Sequence, residues 1–92
     1  MTNPLPNSKM DNKDFIEIMS KSFAEVLKNC RLKQGLTQHD LSENSGLSLR
    51  MISELERGKT QPTLASLFKL AHALQIPADA LIEKLIEQID ST

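Results

Sequence analysis

The 92-residue chain has no tryptophan, no tyrosine and a single cysteine. One thiol, Cys30, cannot form an intrachain disulfide, and a reducing cytoplasm is the natural compartment. The only aromatic is phenylalanine, in three copies, so the core has to be built from Leu, Ile and Ala, which suits a small helical domain. No apolar run approaches the roughly 20 residues that span a bilayer, so no membrane association is expected. The N-terminus has no basic segment leading into a hydrophobic one and is not a secretory signal. His39 and His72 fall on different predicted helices, and Cys30 has no evident partner, too few ligands for a structural zinc site. There is no Gly-rich phosphate loop and no GxSxG. Glu54 and Glu56 point to different sides of one helix, so they do not form a catalytic acid pair. These absences exclude an enzyme, a metal site and a cofactor, and leave binding as the function to look for. The length allows one small domain and no separate ligand-sensing one.

The formal net charge is −1, but its distribution is uneven. From Lys21 to Gln61 there are seven basic residues against five acidic, and from Pro77 onward one Lys against four acidic residues. A mildly basic middle and an acidic tail predict weak non-specific binding to nucleic acid, leaving affinity to shape and base contacts.

The chain is organised around Thr37 to Glu56, TQHDLSENSGLSLRMISELE. Leu41 and Ser45 face inward from a first short helix, Leu47 closes a turn, and Ile52 and Leu55 anchor a second. Gly46 stands where the chain must reverse with positive φ, which glycine does without steric cost. Ser48 caps the second helix. This is the pattern of a helix-turn-helix, with Leu49, Arg50, Ser53, Glu54 and Arg57 on the face turned toward a DNA major groove.

Around this motif, residues 1–11 form a polar, Pro-containing leader expected to be disordered. Residues 12–92 form a single domain. Asp11 caps a long first helix with the stripe Ile16, Met19, Phe23, Val26, Leu27, Cys30, ending near Gln34. Its extra first turns must bury Phe15, Ile16 and Met19, either on the C-terminal helix or at a dimer interface. Thr37 caps the second helix, whose free N–H groups suit a phosphate. Thr63 caps a fourth helix with Leu64, Leu67, Phe68, Leu70, Ala71 and Leu74 as its buried side. Pro77 opens a fifth, residues 78–90, with the stripe Leu81, Ile82, Leu85, Ile86 and Ile89. Two terminal stripes exceed what so small a core can bury, which argues for a homodimer.

The segments RLKQGLTQ, SGLS and ISELERGKTQPTLASL together resemble the phage repressor/Cro-like, or XRE-type, helix-turn-helix family, over roughly Phe23 to Ile86. The resemblance implies an all-α, five-helix, lambda-repressor-like DNA-binding domain, here with an N-terminally extended first helix, that binds double-stranded palindromic operators as a dimer. It implies base contacts from Gln38, Leu49, Arg50, Met51 and Glu54. It implies phosphate or backbone contacts from Gln38, Ser48, Lys59 and Thr60, to which Arg57, on the same outward face, is added. It also implies a buried salt bridge between Arg31 and Glu56. Arg50 suits a bidentate contact to guanine and Leu49 a thymine methyl. Glu54 either accepts from cytosine N4 or pairs with Arg50. Ile16, Met19, Ile82, Leu85, Ile86 and Ile89 are the dimer-interface candidates. Five positions depart from the family pattern: Ser42 replaces Ala, Ser45 replaces an apolar residue, Gln75 replaces the Gly after the fourth helix, and Leu49 and Glu54 are unusual as base readers beside the Gln and Arg often found there.

The leading expectation is a sequence-specific transcriptional regulator of a bacterium, phage or mobile element, similar to restriction–modification controllers and small prophage repressors. A second reading is an antitoxin whose terminal helices grip a protein toxin and which autoregulates through the same helix-turn-helix. A third, a helix-turn-helix used only as a protein adaptor, fits the near-neutral charge but not the basic, Gln-bearing surface.

Overall fold

Four of the helices begin on a side-chain oxygen. In the computed structural model, which describes residues 11–91, Asp11, Thr37, Ser48 and Thr63 each accept from the backbone N–H three residues on, at 2.8 to 3.0 Å. Such caps satisfy one of the orphan donors of a helix start and are worth about 1 kcal/mol each. They open α1 (Asn12–Lys33), α2 (Gln38–Ser45), α3 (Leu49–Glu56) and α4 (Leu64–Ala73). α5 (Ala78–Asp90) follows Pro77, whose fixed φ suits a helix start but which supplies no side-chain cap. The described residues contain no strand. The expected leader, apart from Asp11, lies outside the described residues.

Each helix sends at least one fully buried aliphatic side chain to a common centre: Leu27, Leu41, Ile52 and Leu55, Leu70, and Leu81, with Leu74 at the end of α4. Burying each stabilises the fold by about 1.5–3 kcal/mol before entropy is counted. α1 packs on α3 and α5, α2 on α3 and α4, and α4 on α5. Cys30 is buried in this core as a small apolar residue.

The turn between α2 and α3 is held more closely than size alone requires. Gly46 takes φ 77° and donates its N–H to Ser42. Ser42 Oγ donates to the Leu47 carbonyl at 2.6 Å, and Leu47 N–H donates to Ser45 Oγ at 3.2 Å. The two serines that depart from the family pattern therefore supply the turn with polar partners that Ala and an apolar residue lack. At the end of α4, Gln75 takes the left-handed conformation, φ 60°, that Gly would take more cheaply. Its neighbour Ile76 returns its N–H to Ala71 at 3.1 Å.

One expectation of burial is corrected. On α4, Leu70, Ala71 and Leu74 are buried and Leu67 packs against the core, but Leu64 is 71% and Phe68 56% exposed. At about 100° per residue, Leu64 and Phe68 lie roughly 70 and 110° round the helix from the middle of the buried four, beyond one face. On α1, Phe15 and Met19 are half-buried, while Ile16 remains exposed.

Candidate nucleic-acid interface

α3 is an eight-residue helix whose inward side is fixed by Ile52 and Leu55, both fully buried. That anchoring turns Leu49, Arg50 and Arg57 to solvent and leaves Ser53 and Glu54 half-buried. The Arg50 side chain is 87% exposed, with its Nε 3.6 Å from Glu54 Oε2 one turn on. An exposed pair of this kind adds little stability, but it limits where the guanidinium points. Met51, expected at the flank of the reading surface, packs partly against the core. Ser48 caps α3 and is exposed at its start.

Gln38, at the start of α2, is held against α3. Its Nε2 donates to Glu56 Oε1 at 3.1 Å. Glu56 also accepts from Arg31 Nε at 2.6 Å and Nη2 at 2.9 Å, while Arg31 Nη1 donates to the Leu36 carbonyl at 2.8 Å. Both side chains of the ion pair are nearly out of water. The hydrogen bonds from Glu56 hold the Arg31 guanidinium above its usual pKa, so it stays charged at any accessible pH. The network joins α1, α2 and α3 at one point and leaves the carbonyl and one N–H of the Gln38 amide uncommitted within it.

The α2 start is also more occupied than expected. Thr37 and Asp40 form a reciprocal capping box, with the Thr37 N–H donating to Asp40 Oδ2 at 2.9 Å. That bond holds the Asp40 carboxyl below its usual pKa. An anion approaching this helix end therefore meets a carboxylate and finds two N–H groups already used, which reduces the appeal of α2 as a phosphate site. Asp40 was the residue missed, although its place three after Thr37 matches a capping-box spacing. His39 faces solvent, 3.4 Å from Glu43.

After α3 the chain turns at Gly58, and the Lys59 N–H returns to the Glu54 carbonyl at 3.0 Å. Lys59 is exposed and Thr60 half-buried. Arg50, Arg57 and Lys59 thus come from a short stretch with exposed cationic side chains. Of the expected interface residues, Ile16 and Ile82 are exposed and Met19, Leu85 and Ile86 half-buried, whereas Ile89 is buried within the chain itself. Among the described residues no group of His, Cys, Asp and Glu could hold a metal, and no helix is long and apolar enough to cross a membrane.

A protein-family model described as helix-turn-helix matches residues 27–81. The HTH-type transcriptional regulator y4dJ of Sinorhizobium fredii, itself uncharacterized, is 36% identical over 63 residues, 68% of this chain and 77% of that protein. The HTH-type transcriptional repressor RghR of Bacillus subtilis is 42% identical over 65 residues, 70% of this chain but 48% of its own length. Other curated relatives are matched over as little as 36% of their length. Among solved structures, the wild-type restriction-modification controller protein C.Esp1396I superposes with a TM-score of 0.72 at 32% identity, over 77% of this chain and 91% of that one. The same controller is known as a tetramer in complex with its natural 35 base-pair operator, and that structure superposes equally well.

Proposed function

This chain belongs to the Cro/C1-type (XRE) helix-turn-helix family, and on that premise we propose that it is a DNA-binding transcriptional regulator. It reads a palindromic operator as a homodimer, with one recognition helix, residues 49–57, in the major groove of each half-site. The observation that carries this reading is the outward side of α3. A helix locked from behind by Ile52 and Leu55 presents Leu49, Arg50 and Glu54 without burying them. The division of labour follows from chemistry: Arg50 donates to guanine O6 and N7, Leu49 meets a thymine methyl, and Arg57, Lys59 and Thr60 contact phosphate. Gln38, steadied by Glu56, works beside them. Self-association is supported by the controller that occupies its operator as a tetramer.

Selection of binding sites from random duplex DNA at fixed physiological salt tests the proposal. An enriched two-fold symmetric sequence with half-site centres one helical turn apart, about 34 Å, supports it. No enrichment over unselected DNA contradicts it.

A further inference from the structure

A groove of about 630 Å³ lies between the C-terminal halves of α1 and α5, a size that suits a small molecule. Its apolar surface comes from α1: Val26 and Cys30, both buried and one turn apart, and Leu32, which is 56% exposed. Two ammonium groups border it, Lys33 as the last residue of α1 and the half-buried Lys84 in the middle of α5. Neither lysine belongs to an ion pair among the described residues, whereas Lys21, Arg31 and Arg50 each have a carboxylate partner. Lys33 has no acidic residue three or four positions away. Its place in the last turn of α1 complements the helix dipole. That explanation does not extend to Lys84, which stands mid-helix.

One carboxylate, Glu87, borders the same groove, so two positive charges stand against one negative. Helix C-termini ordinarily repel anions, but here their carbonyls are taken. Gln34, Gly35 and Leu36 donate their N–H groups to the last carbonyls of α1. Ser91 Oγ donates to the Glu87 and Gln88 carbonyls at 3.1 and 3.0 Å. We propose that this groove binds a small organic monoanion with an apolar body, a carboxylate carried on a hydrocarbon chain or ring. The carboxylate lies between Lys33 and Lys84, and the hydrocarbon covers Val26, Cys30 and Leu32. Glu87 disfavours a second negative charge on the ligand. Ile82 and Ile86 lie about 160° round α5 from Lys84, so a dimer formed through them leaves the groove open. The site goes beyond DNA reading and uses no residue proposed to touch DNA.

Titration of the nitrogen-15-labelled full chain with octanoate, followed by amide chemical shifts, provides the test. Octan-1-ol and octylammonium serve as uncharged and cationic probes of the same length. Octanoate should give saturable shifts concentrated at residues 26–33 and 84–91. Replacing both lysines, Lys33→Ala with Lys84→Ala, should raise the octanoate dissociation constant about tenfold, since each solvent-accessible ion pair contributes a few-fold. Octanol should bind about as weakly to the wild type, and octylammonium more weakly still. Lys28→Ala, an exposed lysine outside the groove, should leave octanoate affinity unchanged. The amide spectra of the variants report their fold directly. No saturable shift at either helix, or an affinity that the double variant leaves unaltered, overturns the site. Octanol that binds as tightly as octanoate reduces the groove to an apolar contact and overturns the choice of an anion. Shifts centred on Leu64 and Phe68 instead would place the probe on the exposed side of α4 and overturn the site as well.

Discussion

Gln38 of α2 donates its side-chain amide to Glu56 of α3 at 3.1 Å, and the same carboxylate is gripped by Arg31 of α1. One buried ion pair thus joins the three helices and also orients Gln38, a residue proposed to touch DNA. The two jobs separate on mutation, and the first predictions follow from that separation.

Glu56→Ala strands the Arg31 guanidinium in a site with little water, and such an uncompensated charge costs about 3–5 kcal/mol. Small domains have only about 5–15 kcal/mol in total, so the variant should be partly or wholly unfolded near body temperature. Urea denaturation followed by circular dichroism checks this. A loss below about 1 kcal/mol would show that Arg31 finds another partner.

Gln38→Leu should behave differently. Glu56 keeps both Arg31 hydrogen bonds, so the stability loss should stay within about 1 kcal/mol. Operator affinity, measured by fluorescence anisotropy at fixed salt, should fall by about 1–2 kcal/mol if the amide contacts DNA. Unchanged affinity would confine Gln38 to a structural role.

Asp40 contributes a pH dependence of known sign. Its folded-state pKa is depressed below its usual 3.8 because the carboxylate accepts from the Thr37 backbone. The stabilisation it provides is therefore fully present above the unfolded value and is lost as pH falls through the folded one. Asp40→Asn should be less stable than wild type at pH 7, and the difference should shrink toward zero below about pH 4. Denaturation curves from pH 7 to pH 3 measure it. A difference that stays constant across this range would mean the carboxylate charge contributes nothing to the cap.

Gln75→Gly removes a side chain from a left-handed backbone position. Relief of strain outweighs the added freedom of the unfolded chain, and a gain of about 0.5–1 kcal/mol is expected. For a domain of this size that is a rise of several degrees in Tm, about 2–8 °C. A fall in Tm would mean that the Gln75 side chain itself stabilises the loop.

The helices and their caps were legible in the sequence because local chemistry decides them. Asp11, Thr37, Ser48 and Thr63 each stand one residue before a helix with an apolar stripe begins, and each caps there. The exposure of Leu64 and Phe68 was not legible, because their i, i+4 spacing is that of any buried pair and only the positions of α2 and α5 show which side the core takes. The serine bonds of the turn were not legible either, because the direction in which the Ser42 and Ser45 hydroxyls point depends on the folded turn. Arg50 and Leu49 were placed on the outward face from the spacing of Ile52 and Leu55 alone. The hold of Glu56 on Gln38 joins residues 18 apart and needed the fold.

The most direct test is Arg50→Ala on the selected operator and on a panel of its single-base variants, with circular dichroism confirming the fold. The account predicts a loss of about 1–3 kcal/mol on the preferred sequence, with discrimination relaxed at one symmetric base position and kept elsewhere. An equal loss on every sequence, with the salt slope reduced by about one, would make Arg50 a phosphate contact and would contradict base reading by this residue.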